Sequence, residues 1–110
     1  MKVHVERRDK AAIAWLNGSM TGGDNCEWVE PVTKLVDESG AFVVLDMSQV
    51  SYISSAALGD LVRITALANT QGTRLVLANV SPFVGGVMQT TRLDKFFDIH
   101  KDLDAALAAQ

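Results

Sequence analysis

The sequence predicts an α/β fold in which helices flank a mixed β-sheet. Two short runs, Phe42-Val43-Val44-Leu45 and Leu75-Val76-Leu77-Ala78, are continuously apolar, the pattern of strands covered on both faces. Each follows a segment with helical spacing of apolar residues, which implies crossover connections between strands of one sheet. Ahead of them, two further strand-like segments joined by a polar turn suit a β-hairpin. The element order is β-β-α-β-α-β-α-β-α, within one domain spanning residues 1–110.

The first strand is carried by Val3 and Val5, which alternate with Lys2, His4 and Glu6 so that one face is wet. Arg8-Asp9-Lys10 is the turn, and Ala12 to Leu16 is the second strand, ended by Asn17-Gly18-Ser19. Gly22-Gly23-Asp24-Asn25 is a loop leading to a helix. That helix is marked by the apolar stripe of Trp28, Val29, Val32, Leu35 and Val36 and closed by Ser39-Gly40. Pro31 predicts a late start or a distorted first turn, because proline lacks the backbone N–H a helix interior needs.

After the Phe42–Leu45 strand comes a short loop, and then a second helix from about Ala56 to Asn69, with Leu58, Leu61, Val62 and Thr65 on one side. Thr70-Gln71-Gly72 ends it before the Leu75–Ala78 strand. Ser81-Pro82 supplies a cap and a pre-set first helical position for a third helix, whose inward face is Phe83, Val84, Val87 and Met88. Gly85 and Gly86 weaken that helix by roughly 1 kcal/mol each relative to alanine. Phe96, Phe97 and Ile99 form a short last strand, and Asp102 opens a terminal helix carrying Leu103, Ala106 and Leu107.

Composition narrows the function classes. With 21% charged and 48% apolar residues the chain has the balance of a globular domain, and its net charge of −3 gives no broad basic surface for nucleic acid. The one cysteine, Cys26, forms no internal disulfide, lacks a nearby base, and suits a reducing cytoplasm. No apolar run is long enough to cross a bilayer, so the expectation is a cytoplasmic protein without direct membrane insertion. Enzyme readings are poor. His4 and His100 lie far in sequence from Cys26 and from each other, no metal-ligand spacing occurs, and neither glycine pair opens a phosphate loop. The expectation is a non-enzymatic protein with no cofactor and no metal.

The junction Asp46-Met47-Ser48-Gln49-Val50-Ser51-Tyr52-Ile53-Ser54-Ser55-Ala56 is the most informative stretch. Asp46 ends a buried strand, where a carboxylate needs hydrogen bonds; it either accepts bonds from loop amides near Ser48 or shapes the loop that holds the serines. The hydroxyls of Ser54 and Ser55 stand where a helix begins. A serine there caps the helix, or it accepts a phosphoryl group whose charge sits at the helix's positive end.

From Val44 to Gly59, with support from Gly72–Asn79, Ser81-Pro82 and Leu93–Ile99, the chain resembles the STAS domain family, named for sulfate transporters and anti-sigma-factor antagonists. It is most similar to the small single-domain bacterial form. The resemblance implies a STAS-like mixed sheet flanked by helices. In such antagonists the loop after the third strand reads as an acidic residue, a phosphorylatable Ser or Thr, a Ser, then Gly-Leu-Gly. Laid on this chain, Ser54 takes the acidic position and Ser55 the acceptor position. Ala56 and Ala57 replace Ser and Gly, and Leu58 and Gly59 match.

The resemblance thus implies an anti-sigma-factor antagonist regulated by phosphorylation of Ser55. Its partners are an anti-sigma factor of the GHKL serine-kinase type, which would hold the ATP, and a phosphatase. Thr21, Asp24, Ser54, Ser55 and Ala56 are the implied partner contacts, with Asp46 and Ser48 supporting the loop. Asp60 and Arg63 are expected on the exposed face of the second helix. A second implied function is an unphosphorylated STAS subunit docking on the ATPase of a phospholipid-type ABC transporter, which the altered loop makes credible. A third is a small-ligand sensor, although nothing resembles a dedicated pocket for haem, flavin or nucleotide.

Overall fold

A computed structural model describes residues 1–8, 11–21, 27–39 and 42–110. Along the chain run β1 (Lys2–Arg8), β2 (Ala11–Met20), α1 (Val29–Ser39), β3 (Phe42–Ile53), α2 (Ser55–Thr70), β4 (Arg74–Ala78), α3 (Pro82–Thr90), β5 (Asp98–His100) and α4 (Leu103–Ala108). The strands form one sheet in chain order, β1-β2-β3-β4-β5. β1 and β2 pair antiparallel, and every later neighbour pair is parallel. The expected mixed sheet and element order are both present.

This topology decides which face each helix covers. Crossovers between parallel strands are almost always right-handed, so strands added in one direction send successive helices to the same face. Val32, Leu35 and Val36 of α1, Leu61 and Ile64 of α2, and Val84 and Met88 of α3 accordingly share one core with Ala14, Leu16, Val43, Leu45 and Leu77 of the sheet. The opposite face is covered by α4, whose Ala106 packs with Ile13, Phe42, Val44 and Val76, flanked by Leu103 and Leu107. Continuous apolar runs in β3 and β4 therefore reflect real two-sided burial.

Several local expectations are corrected. β2 does not end at Asn17 but continues to Met20, and β3 continues past Leu45 to Ile53 instead of passing into a loop. Asp46 consequently lies within a strand. The two extensions pair through register shifts between Trp15 and Asn17 and between Gly18 and Ser19, each of which leaves an extra residue in β3. Pro31 is the third residue of α1, and the helix's first amide bond runs from the Val32 N–H to the Trp28 carbonyl. The proline thus sits in the turn where a missing N–H has no consequence, and the helix starts undelayed.

In α2 the buried face is Ala57, Leu58, Leu61, Ile64, Thr65 and Ala68, with Val62 only half-buried. In α3 only Val84 and Met88 are buried; Phe83 points outward at 53% exposure and Val87 is half-buried. β5 is confined to Asp98–His100, with Phe97 buried just before it and Phe96 exposed. Asp9, Lys10, the Gly22–Cys26 segment and Gly40 lie outside the described residues, so the turn, loop, thiol and helix-end expectations placed on them have no structural account. No helix among the described residues is long and apolar enough to cross a membrane.

Candidate functional site: the serine turn at the start of α2

The extended β3 delivers the chain to a tethered turn. Met20 and Ile53 are register partners, and the next amide, Ser54 N–H, donates to the Met20 carbonyl at 2.9 Å. Thr21 follows Met20 directly, and its carbonyl accepts the Trp28 indole N–H at 3.1 Å. Trp28 is fully buried, so the exit from β2 is anchored to the core beneath α1. Thr21, Ser54, Ser55 and Ala56 are brought together by these links at the C-terminal end of the parallel strands. Asp24 lies outside the described residues.

The two serines do different things. Ser54 has extended backbone angles, and its Oγ accepts the Ala57 N–H at 3.0 Å. Its carbonyl takes the first helical bond, from Leu58 N–H at 2.9 Å. Ser54 is therefore the N-cap, a role worth about 1 kcal/mol. Ser55 is the first residue of α2 and is exposed, as is Ala56, whereas Ala57 and Leu58 turn into the core. The capping role and the exposed hydroxyl are divided between neighbours.

Electrostatics at this end favour an anion. The first amides of a helix have no partner within it and carry the positive end of its dipole. α2 has no acidic residue in its first turn to compete for them. Asp60 is in the following turn and is paired with Arg63 at 3.5 Å; Arg63 is exposed and Asp60 half-buried, close to the expected placement.

Asp46, 3% exposed, is held by two bonds. Its Oδ1 accepts the Ser48 backbone N–H at 2.9 Å, and its Oδ2 accepts the Asn79 side-chain amide at 3.0 Å. The first bond is one the sequence suggested. The second reaches from β3 to the residue after β4 and was not legible in sequence. The signal available was an asparagine directly after a strand, a place where left-handed backbone is common; Asn79 has φ 57°. Ser48 itself is exposed on the strand, away from the serine turn.

Other candidates do not join this site. His4 is exposed and tilts against Trp15, with ring centroids 5.5 Å apart. His100 Nε2 lies 2.8 Å from an Asp98 oxygen at the opposite end of the chain's fold order. Among the described residues no group of three or more His, Cys, Asp or Glu side chains is placed to hold a metal ion.

Comparison with known proteins bears on the family and the fold. BtrV of Bordetella bronchiseptica, provisionally named an anti-sigma factor antagonist, is 30% identical over 110 residues, covering 99% of this chain and 94% of that protein. The structure of the anti-sigma factor antagonist SpoIIAA in its unphosphorylated form superposes with a TM-score of 0.71 at 17% identity, over 98% of this chain and 96% of that one. A sulfate transporter family protein from Wolinella succinogenes does so with a TM-score of 0.77 at 20% identity, over 91% and 84%. At those identities the two structures establish the fold. The STAS domain profile matches residues 2–106, and with nearly the whole sequence inside that match the chain belongs to the STAS domain family.

Proposed function

We propose that this protein is an anti-sigma factor antagonist that works by partner switching. It binds an anti-sigma factor of the serine-kinase type, and phosphorylation of Ser55 ends that binding. The observation that carries the reading is the division of labour at the serine turn: Ser54 caps α2, leaving the exposed Ser55 hydroxyl at the helix's first position. The name of BtrV and the unphosphorylated SpoIIAA structure support it by relationship.

A phosphate on Ser55 adds about −1.5 to −2 charge and three strong acceptors. The helix end accommodates that charge, so the fold is undisturbed. A partner seated on the turn instead meets a charged group it must desolvate, and dissociates. Thr21, Ser54 and Ala56 border the acceptor and form the contact surface in this reading, and Asp24, three residues after Thr21 in sequence, is a further contact in it. The protein contributes binding and no catalysis; ATP belongs to the kinase, and a phosphatase resets the switch. The setting is the cytoplasm.

The test is incubation of the purified protein with purified GHKL-type anti-sigma kinases and ATP, read by intact mass and by binding. Wild type gains one phosphoryl group and Ser55→Ala gains none while still binding. Ser55→Asp stays folded and does not bind. Equal binding by Ser55→Asp and wild type overturns the switch.

A second reading is favoured by the loop itself, in which Ser54 replaces the acidic neighbour and Ala56 and Ala57 replace Ser and Gly. In it the unmodified turn docks on the ATPase subunit of a membrane transporter. Stable association with a purified transporter ATPase, and with no anti-sigma kinase, decides for it.

A further inference from the structure

Three of the large apolar side chains left in solvent lie along the outer face of α3. Tyr52 is 44% exposed, Phe83 53% and Ile99 37%. The rings of Tyr52 and Phe83 stack with centroids 5.8 Å apart. Phe83 then lines an open groove of about 430 Å3 with Pro82, Gly86, Val87, Thr90 and Thr91. A second groove shares Pro82 and Gly86 and continues to Val80 and Ile99. Contiguous exposed apolar surface of this kind marks an interaction site.

We infer that the outer face of α3, led by Tyr52 and Phe83, is the apolar half of the docking surface whose charge gate is Ser55, and that it receives an apolar side chain of the anti-sigma factor. This rests on the antagonist reading. Reach and charge point to that occupant. A standard protein interface covers about 800 Å2 on each partner, a disc of about 16 Å radius. Tyr52 precedes Ser55 by three residues, which span at most about 11 Å of extended chain. Tyr52 therefore lies within that radius of Ser55, and Phe83 is stacked on its ring.

Charge argues against a membrane. The first groove has no charged lining residue, and the second has only Asp94. An anionic lipid surface is recognised by Lys and Arg, which neither groove presents. Buried aromatic anchors surrounded by uncharged surface are instead what the centre of a protein interface uses.

Gly86 makes the test clean. A Cβ built there meets nothing within 4 Å, so a side chain at this position enters the groove and leaves the core alone. Binding of the wild-type protein, Phe83→Ala, Gly86→Glu and Ser55→Asp is measured against the purified GHKL-type anti-sigma kinases of the same genome, with the thermal midpoint of each variant. The expected result is at least a tenfold loss of affinity in Phe83→Ala and in Gly86→Glu, with neither variant unfolded at the assay temperature. Wild-type affinity in both, with binding still lost in Ser55→Asp, overturns this inference and leaves the antagonist reading standing. No binding of the wild-type protein to any of the kinases overturns both. Sedimentation showing that wild type dimerises and Phe83→Ala does not assigns the patch to a second copy and also overturns it.

Discussion

Asp46 and Asn79 join the interior of β3 to the end of β4: the buried carboxylate on β3 accepts the asparagine amide at 3.0 Å, just where β4 gives way to α3. The other carboxylate oxygen takes the Ser48 N–H at the start of the bulged extension. One side chain thus ties the start of the bulged extension of β3 to the exit of β4 into α3.

Removing this clamp is expected to cost stability. Asp46→Ala leaves the half-buried Asn79 amide and the Ser48 backbone N–H without this charged acceptor, a loss of roughly 2 kcal/mol. Asn79→Ala loses the bond and also places an alanine at φ 57°, whereas Asn79→Gly loses only the bond. Urea unfolding should rank wild type above Asn79→Gly and Asn79→Gly above Asn79→Ala, the two variants differing by about 1 kcal/mol.

The two serines should separate by experiment. Ser54→Ala removes the acceptor of the Ala57 N–H and lowers stability by about 1 kcal/mol. Ser55→Ala, at an exposed position with the cap intact, changes it by less than about 0.5 kcal/mol. Denaturant midpoints of the two single variants check the assignment, and the reverse order would contradict it.

A negative charge at Ser55 should be harmless to the fold. Ser55→Asp places a carboxylate at the first position of a helix with an otherwise uncharged first turn, a change worth about 0.3–1 kcal/mol in favour of folding. The thermal midpoint is expected to hold or rise at low salt, and the gain to shrink as salt screens the dipole. A marked fall would mean the turn is built to exclude charge.

Gly59 and Gly86 are helical glycines with no heavy atom within 4 Å of a built Cβ. Nothing inside the fold requires them, so Gly59→Ala and Gly86→Ala should each stabilise by about 0.5–1 kcal/mol. Thermal melts of the single variants test this.

The sheet was legible because Phe42–Leu45 and Leu75–Ala78 are buried on both faces and read so. The far half of β3 was not. Its inward residues are Met47, Val50 and Ile53, one in every three, because two bulges each add an outward residue. That spacing matches neither the period of a flat strand nor that of a helix, and a stretch of mixed Ser and Gln then looks like a loop. Ser54 and Ser55 could be placed at a helix start but not told apart, since the cap depends on which residue has extended backbone angles. Phe83 misled for another reason: apolar character alone assigned it inward, while α3 turns it to solvent; Val87 packs half-buried against the core.

Strand order in space repeats strand order in sequence. No strand is inserted between two earlier ones, so each crossover unit adds to a free border of the sheet and its pairings stay near in sequence. The serine turn's tether to Met20 is made within the first half of the chain and takes nothing from β4 or β5.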